Sequence, residues 1–203
     1  YEPKWDGFRA IVTRDAEGVR IDSRGDRPLG RYFPELVELL AAQPPATYVM
    51  DGEILMIIDG VMDFETLQLR LHPAASRVNK LAGEIPATFV AFDVLERDGR
   101  DLRSLNTDER RAELESLIQH LGEELAPDSP AGLHPGPALI LTPQTRDPDV
   151  ARRWFEDVDG VGQDGIVAKR AEQRYVEGER VMVKVKHHRT ADCVVGGYRL
   201  ERK

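Results

Sequence analysis

Lys4 and Asp6 stand two residues apart in Glu2-Pro3-Lys4-Trp5-Asp6-Gly7-Phe8-Arg9. In an extended segment, residues i and i+2 project from one face, so a potential nucleophile and an anion lie side by side. Gly7 removes side-chain bulk where a ligand could approach the backbone, and Phe8 to Val12 then alternates like a half-buried strand. Taken alone, Lys4 reads first as a solvated surface lysine, and other motifs must overturn that. A second charged pair lies in Val181-Met182-Val183-Lys184-Val185-Lys186. Its two ammonium groups share a strand face roughly 7 Å apart and repel each other unless an anion sits between them. Phosphate is the natural anion; the plainer reading is two lysines on the wet face of an edge strand.

Other residue types extend the chemistry. Arg24 emerges from a strand into Ser23-Arg24-Gly25-Asp26, where a guanidinium can present its fork to a phosphate or pair with Asp22 or Asp26. Asp51 and Glu53 flank Gly52 within an apolar strand-like run. Buried unpaired they would cost several kcal/mol, so they must be paired, ligand-bound or at the strand's open end. Phe92 beside Asp93 suits either stacking on a base or the core. Gly162-Gln163-Asp164-Gly165-Ile166-Val167-Ala168-Lys169 leads from an acid through a glycine into an apolar strand ending in lysine.

The elements that must position these groups are legible from periodicity. Strands over 8–13 and 19–23 flank a turn at Asp15-Ala16-Glu17-Gly18 and form a hairpin. Tyr32, Phe33, Leu36, Val37, Leu39 and Leu40 recur at helical spacing before Pro44-Pro45. Residues 47–58 read as a strand, Asp59-Gly60 as a tight turn, and Phe64, Leu67 and Leu71 as a short helix followed by a polar loop. A strand over 87–95 follows, closed by Arg97-Asp98-Gly99-Arg100. Asn106 with Glu109 opens a helix whose core face is Leu114, Leu117, Ile118 and Leu121. Residues 123–136 read as a Pro- and Gly-rich surface loop. Asp147-Pro148 opens a last helix, with Val150, Trp154, Phe155 and Val158 on its buried side and Gly160 at its end. Hairpins and helices without regular alternation predict an α+β fold with antiparallel sheets.

Composition narrows the class. The chain has 203 residues, 41% of them hydrophobic, enough to bury a core. Its longest apolar run, Ile54 to Ile58, is far too short to cross a membrane. With Cys193 as the only cysteine, an internal disulfide and a cysteine-held zinc are excluded, and a cytoplasmic location is the default. The net charge of −8 argues against a uniformly basic nucleic-acid binder. Yet residues 169–203 carry ten Lys and Arg against five Asp and Glu, a local surplus able to attract phosphate. A start at Tyr1, with a dense motif so close to it, reads as a part of a longer protein.

Together these motifs resemble the covalent nucleotidyltransferases: DNA ligases, RNA ligases and mRNA capping enzymes. Six elements stand in that superfamily's order: Lys4-Trp5-Asp6-Gly7 with Arg9, Ser23-Arg24, Asp51-Gly52-Glu53, Phe92-Asp93, Asp164 to Lys169, and Lys184-Val185-Lys186. Residues 1–9 and 183–198 resemble bacterial ATP-dependent DNA ligases of the kind associated with repair and end joining. The resemblance implies two packed antiparallel β-sheets flanked by helices over 1–203, an adenylation domain, with an oligonucleotide-binding-fold (OB-fold) domain to follow. Lys4 would attack the α-phosphate of ATP, Lys184 and Lys186 would neutralise the phosphate, and Asp6 would orient the amine or the leaving group. Arg9 and Glu53 look like the ribose contacts, Phe92 like the adenine-stacking aromatic, Glu2 and Lys169 like further nucleotide contacts. Arg24 resembles the arginine that holds the nick 5′-phosphate. Where the family commonly has a glutamate, Asp164 stands, one methylene shorter, as the contact for Mg²⁺ or Mn²⁺.

That reading makes nicked double-stranded DNA the substrate partner. It expects end-joining proteins as possible company, a monomer, and a bacterial cytoplasm with the enzyme at the nucleoid. An RNA ligase or capping enzyme would share Lys4 and its surroundings, and a non-catalytic nucleic-acid-binding module is the alternative of another class.

Overall fold

The alternation from Phe8 does build a strand, and its register decides which side chains meet. A computed structural model describes residues 1–122, 137–156, 164–179, 181–187, 194 and 196–197. In it β1 (Glu2–Pro3) precedes β2 (Phe8–Asp15) and β3 (Gly18–Ser23), which form the expected hairpin. Then come α1 (Pro34–Ala42), β4 (Tyr48–Leu55), the small hairpin β5 (Ile57–Ile58) and β6 (Val61–Met62), α2 (Phe64–Leu69) and α3 (Ala75–Glu84). The chain continues through β7 (Thr88–Arg97), β8 (Arg100–Asp101), α4 (Thr107–His120), β9 (Ala138–Leu141), α5 (Pro148–Glu156), β10 (Gly165–Ala168) and β11 (Val183–Lys186).

Two main sheets result. The larger runs β3-β2-β4-β7-β8, and β9 pairs β7 along the stretch of its edge that β8 leaves open. The smaller runs β1-β10-β11. Ala10, Val12, Met50 and Ile54 on one face of the larger sheet are buried, with Leu36 and Leu40 of α1, Leu67 of α2, and Leu114, Leu117 and Ile118 of α4 packed in the same core. Period two then sends Arg9, Ile11, Asp51 and Glu53 to the opposite face. On the smaller sheet, Ile166 packs with Ala151 and Trp154 of α5, which leaves Lys184 free to line a cavity.

Two expectations need correction. The strands are not all antiparallel: β9 runs parallel to β7, with Thr88 to Ala91 opposite Ala138 to Leu141. A parallel return needs a long crossover, and α4 lies in the connection from β7. The supposed polar loop after Pro73 contains α3, whose buried side chains are Val78 and Ala82. The helix start at Asn106 is as read, with a capping box in which Asn106 accepts from the Glu109 N–H and Glu109 accepts from the Asn106 N–H. The 123–136 loop, the helix end at Gly160 and Cys193 lie outside the described residues. Among the described residues, no helix is long and apolar enough to cross a membrane.

Glycines allow two close approaches. A Cβ on Gly7 would lie 2.2 Å from the Ile54 carbonyl oxygen, so this glycine admits strand β4 and not, as the sequence suggested, a ligand. A Cβ on Gly165, whose φ is +135°, would lie 2.0 Å from the Val185 carbonyl oxygen.

Candidate active site

The register of the smaller sheet places the lysines. Gly165 is opposite Lys186, Val167 is opposite both Glu2 and Lys184, and the Lys4 N–H donates to the Gly165 carbonyl at 2.8 Å. Side chains directly across an antiparallel pair share a face. Glu2 and Lys184 therefore flank Val167, while Lys4 and Lys186 flank a glycine that puts nothing between them. Asp164 bridges that gap: its Oδ2 lies 2.7 Å from Lys4 Nζ and 2.6 Å from Lys186 Nζ. Burial alone would raise the Asp164 carboxyl, but hydrogen bonds from Lys186 and Lys4 outweigh it and hold the group below its ordinary value.

A cavity of about 230 Å³ opens over this row and is lined by Glu2, Lys4, Asp6, Arg9, Arg24, Glu53, Phe92, Lys169 and Lys184. Asp164 and Lys186 reach it through the Lys4 ion pair. All eleven residues singled out in the sequence thus belong to one neighbourhood. A larger cavity of about 420 Å³ adjoins it, sharing Arg9, Arg24, Lys169 and Met182, but without Lys4. The smaller one holds the groups capable of chemistry.

Phe92 reaches the cavity because of a β-bulge. Gly52 is opposite Ala91 and Asp51 opposite Asp93, so Phe92 has no register partner. A bulge turns adjacent side chains toward one face: Phe92 lines the smaller cavity and Asp93 the larger. Lys169 is fixed beside the Phe92 ring, its Nζ 5.1 Å from the centroid, 3.1 Å from the Phe92 carbonyl oxygen and 2.7 Å from Glu2 Oε2. Asp51 and Asp93 face each other across the strands, a repulsive pair that two arginines neutralise. Arg9 binds Asp51 through Nε at 2.9 Å and Nη2 at 2.5 Å, and Arg110 binds Asp93 at 2.8 and 3.0 Å. Of the two readings of Arg24, pairing with Asp22 or Asp26 does not hold: among the described residues it makes no ion pair, and it borders both cavities.

Glu53 has the most perturbed carboxyl of the cavity. Burial pushes it from 4.5 to about 7, against the lowering effect of the Gly7 N–H, which donates to Oε1 at 3.2 Å, and of Lys4 and Arg9. The folded chain therefore holds a proton that the unfolded chain has lost. Stability is greatest below about 4.5, declines as pH rises, and reaches its lower plateau above about 7. Glu53→Gln should abolish this component: urea midpoints of the two proteins, matched at pH 4.5, diverge in favour of the variant by pH 7. Parallel midpoints across that window would contradict the assignment. Lys184 is displaced downward by burial and by the neighbouring Lys4 and Arg9 charges, a cation whose environment favours an incoming anion.

Some contributors were invisible in the sequence. Trp5 Nε1 donates to Thr142 Oγ1 at 2.8 Å, Gln144 Nε2 to Glu2 Oε1 at 3.4 Å, and the Tyr1 amino group to the Thr145 carbonyl at 2.7 Å. Residues 142–145 thus strap down the segment that carries Lys4. Tyr175 donates to Asp51 from a loop with no local motif. Partners more than a hundred residues apart carry no spacing signal.

Two sheets that meet at a cleft, with a lysine and its cationic companions on the smaller and an aromatic on the larger, form the adenylation-domain fold of covalent nucleotidyltransferases. The chain belongs to the ATP dependent DNA ligase domain family, whose model matches residues 1–186. It is 48% identical over its whole length to DNA ligase C2 of Mycolicibacterium smegmatis and 46% identical to DNA ligase C of Mycobacterium tuberculosis, covering 53% and 54% of them. The chain spans about half the length of these curated relatives. A solved mycobacterial DNA ligase D complexed with ATP and MES superimposes with a TM-score of 0.65 at 29% identity, over 92% of this chain and 53% of that one.

Proposed function

We propose that residues 1–203 are the adenylation domain of an ATP-dependent DNA ligase, in which Lys4 accepts AMP and passes it to nicked DNA. The observation that carries this reading is the nearly buried Lys4 ammonium, sharing Asp164 with Lys186 at the edge of the cavity. Lys4 Nζ bonds to the α-phosphorus of ATP, the bond to the bridging oxygen breaks, and pyrophosphate and a proton leave. Charge supports an anionic substrate. With Lys169 paired to Glu2 and Arg9 to Asp51, the other described charges at the smaller cavity are Lys4, Lys184, Lys186 and Arg24 against Asp164, Asp6 and the half-protonated Glu53.

In this reading Phe92 stacks on adenine, Arg9 and Glu53 meet the ribose, and Glu2 and Lys169 close the base end. Asp6 orients the amine or the leaving group, while Lys184 and Lys186 receive the phosphates. No group of three or more metal-ligating side chains occurs among the described residues. The donor set therefore suits a Mg²⁺ or Mn²⁺ brought by the triphosphate, with Asp164 as its carboxylate contact, and not an ion held by protein alone. Such an ion supplies charge neutralisation at the phosphate oxygens.

The adenylate then moves to the 5′-phosphate of a nick, with Arg24 holding that phosphate, and the 3′-hydroxyl displaces AMP. The relatives are about twice as long as this chain; in this reading an OB-fold domain follows and completes the DNA clamp. One relative, 31% identical and covering 98% of this chain, is the multifunctional non-homologous end joining protein LigD of Mycobacterium bovis. That name supports end-joining proteins as partners; in this reading the enzyme is a monomer and works at the nucleoid in the bacterial cytoplasm.

Incubation of the full-length protein with α-labelled ATP and magnesium, followed by a chase with a nicked duplex, tests the reading. Label should become covalent with ATP, not GTP, and move to DNA. Labelling with GTP would point to a capping enzyme, transfer to RNA nicks alone to an RNA ligase. Salt-sensitive DNA binding without covalent label would leave only a binding module.

A further inference from the structure

Arg9 borders both cavities, with about a quarter of its side chain exposed, and its guanidinium carbon lies 5.7 Å from the Phe92 ring centroid. Nε and Nη2 are committed to Asp51, while Nη1 makes no hydrogen bond with a described residue. The direction of that open edge is set by the Asp51 carboxylate, which is wholly buried and so cannot be steadied by bulk water. A third donor reaches it: the Tyr175 hydroxyl, 3.2 Å from Oδ2.

Tyr175 is itself anchored. Its N–H donates to the Arg103 carbonyl at 3.2 Å, and the Arg110 guanidinium carbon lies 5.8 Å from its ring centroid. Next to it, the Gln173 carbonyl accepts from Thr107 Oγ1 at 3.0 Å, and Arg174 bridges to Asn106. The loop after β10 is thus tied to the start of α4, and Tyr175 projects from it to the floor of the larger sheet. Burial and the Asp51 charge push the phenol up to about 12, so it remains a donor at neutral pH.

We propose that Tyr175 is a positioning residue for the nucleotide: through Asp51 it fixes the plane of the Arg9 guanidinium, so that the unused Nη1 edge meets a nucleotide oxygen in the adjoining cavity. This rests on the adenylation reading above. Tyr175 touches no reacting atom, so its removal weakens nucleotide binding without slowing chemistry at saturation. A bidentate guanidinium is rigid only when its carboxylate is, and a carboxylate with three donors has little freedom to rotate.

Tyr175→Phe keeps the ring beside Arg110 and removes only the hydroxyl. In the full-length protein, the ATP concentration for half-maximal covalent labelling should rise about fivefold, the effect of one lost hydrogen bond, with the maximal rate unchanged. ATP affinity by titration calorimetry should fall by a similar factor in the Tyr175→Phe protein, and by less than about twofold when the same change is made in an Arg9→Ala background. A thermal melt of each protein separates these effects from unfolding. Unchanged half-saturation, a reduced maximal rate with unchanged half-saturation, or an equal loss of affinity in both backgrounds would each overturn the positioning role. If the wild-type protein takes no covalent label, the adenylation reading falls and this one with it. If wild type labels and Tyr175→Phe matches it, only the role of Tyr175 falls.

Discussion

Lys4→Ala protein should take up no covalent label from α-labelled ATP, a loss of at least about a thousandfold, while remaining folded. The loss follows from the location of the amine. Lys4 is the cavity lysine whose backbone is strapped between Gly165 and, through Trp5, Thr142, so no neighbouring lysine can substitute without moving a strand. Folding survives because Asp164 keeps Lys186 at 2.6 Å and is not left unpaired. The unfolding free energy should therefore change by less than about 1 kcal/mol. Lys4→Arg separates charge from nucleophilicity. Arginine retains a cation for Asp164 but never a free lone pair, so it too should take up no label. Intact-protein mass spectrometry after incubation with ATP and magnesium reads both variants, and an AMP adduct on either would remove Lys4 from its role.

The legibility of this site follows the periods of its strands. Glu53 with Asp51, and Lys184 with Lys186, are spaced at two along strands, so their shared faces can be read from sequence alone. Phe92 is ambiguous in the sequence because a single residue of bulge decides between core and cavity, and β4 alone does not reveal it. Asp51 is left open between pairing and ligand binding, since its pairing with Arg9 depends on the β2–β4 register. Gly7 misleads because glycine marks close approach without saying what approaches; here it is the Ile54 carbonyl. The parallel strand β9 escapes notice for another reason. A four-residue apolar run after a long connection carries neither alternation nor hairpin signal, and only pairing with β7 makes it a strand. Thr142, Gln144 and Tyr175 act on residues far away in sequence, and ordinary polar residues in loops announce no partner.

Gly165→Ala should also damage labelling severely, though less than the loss of Lys4 and by a different route. Two costs fall on one methyl group. The backbone at φ +135° lies where L side chains are strained, and the new Cβ would meet the Val185 carbonyl oxygen at 2.0 Å, far inside contact. Strain and overpacking together should lower the unfolding free energy by about 3 kcal/mol or more if β10 and β11 stay paired. The cheaper relief is to let β11 move away, since it is an edge strand with Val183 and Val185 exposed. That displacement takes Lys184 and Lys186 with it, breaks the bridge that Asp164 makes between Lys4 and Lys186, and removes Lys184 from the lining of the cavity. Covalent labelling should then fall by about a hundredfold or more even under conditions where circular dichroism shows a folded protein. Gly178, with φ +78° and no atom within 4 Å of where a Cβ would stand, supplies the control. Its alanine variant bears the strain of a positive φ without the collision, and should lose about 1–2 kcal/mol of stability while labelling normally. Equal labelling by Gly165→Ala and wild type would show that β11 does not deliver its lysines through this contact.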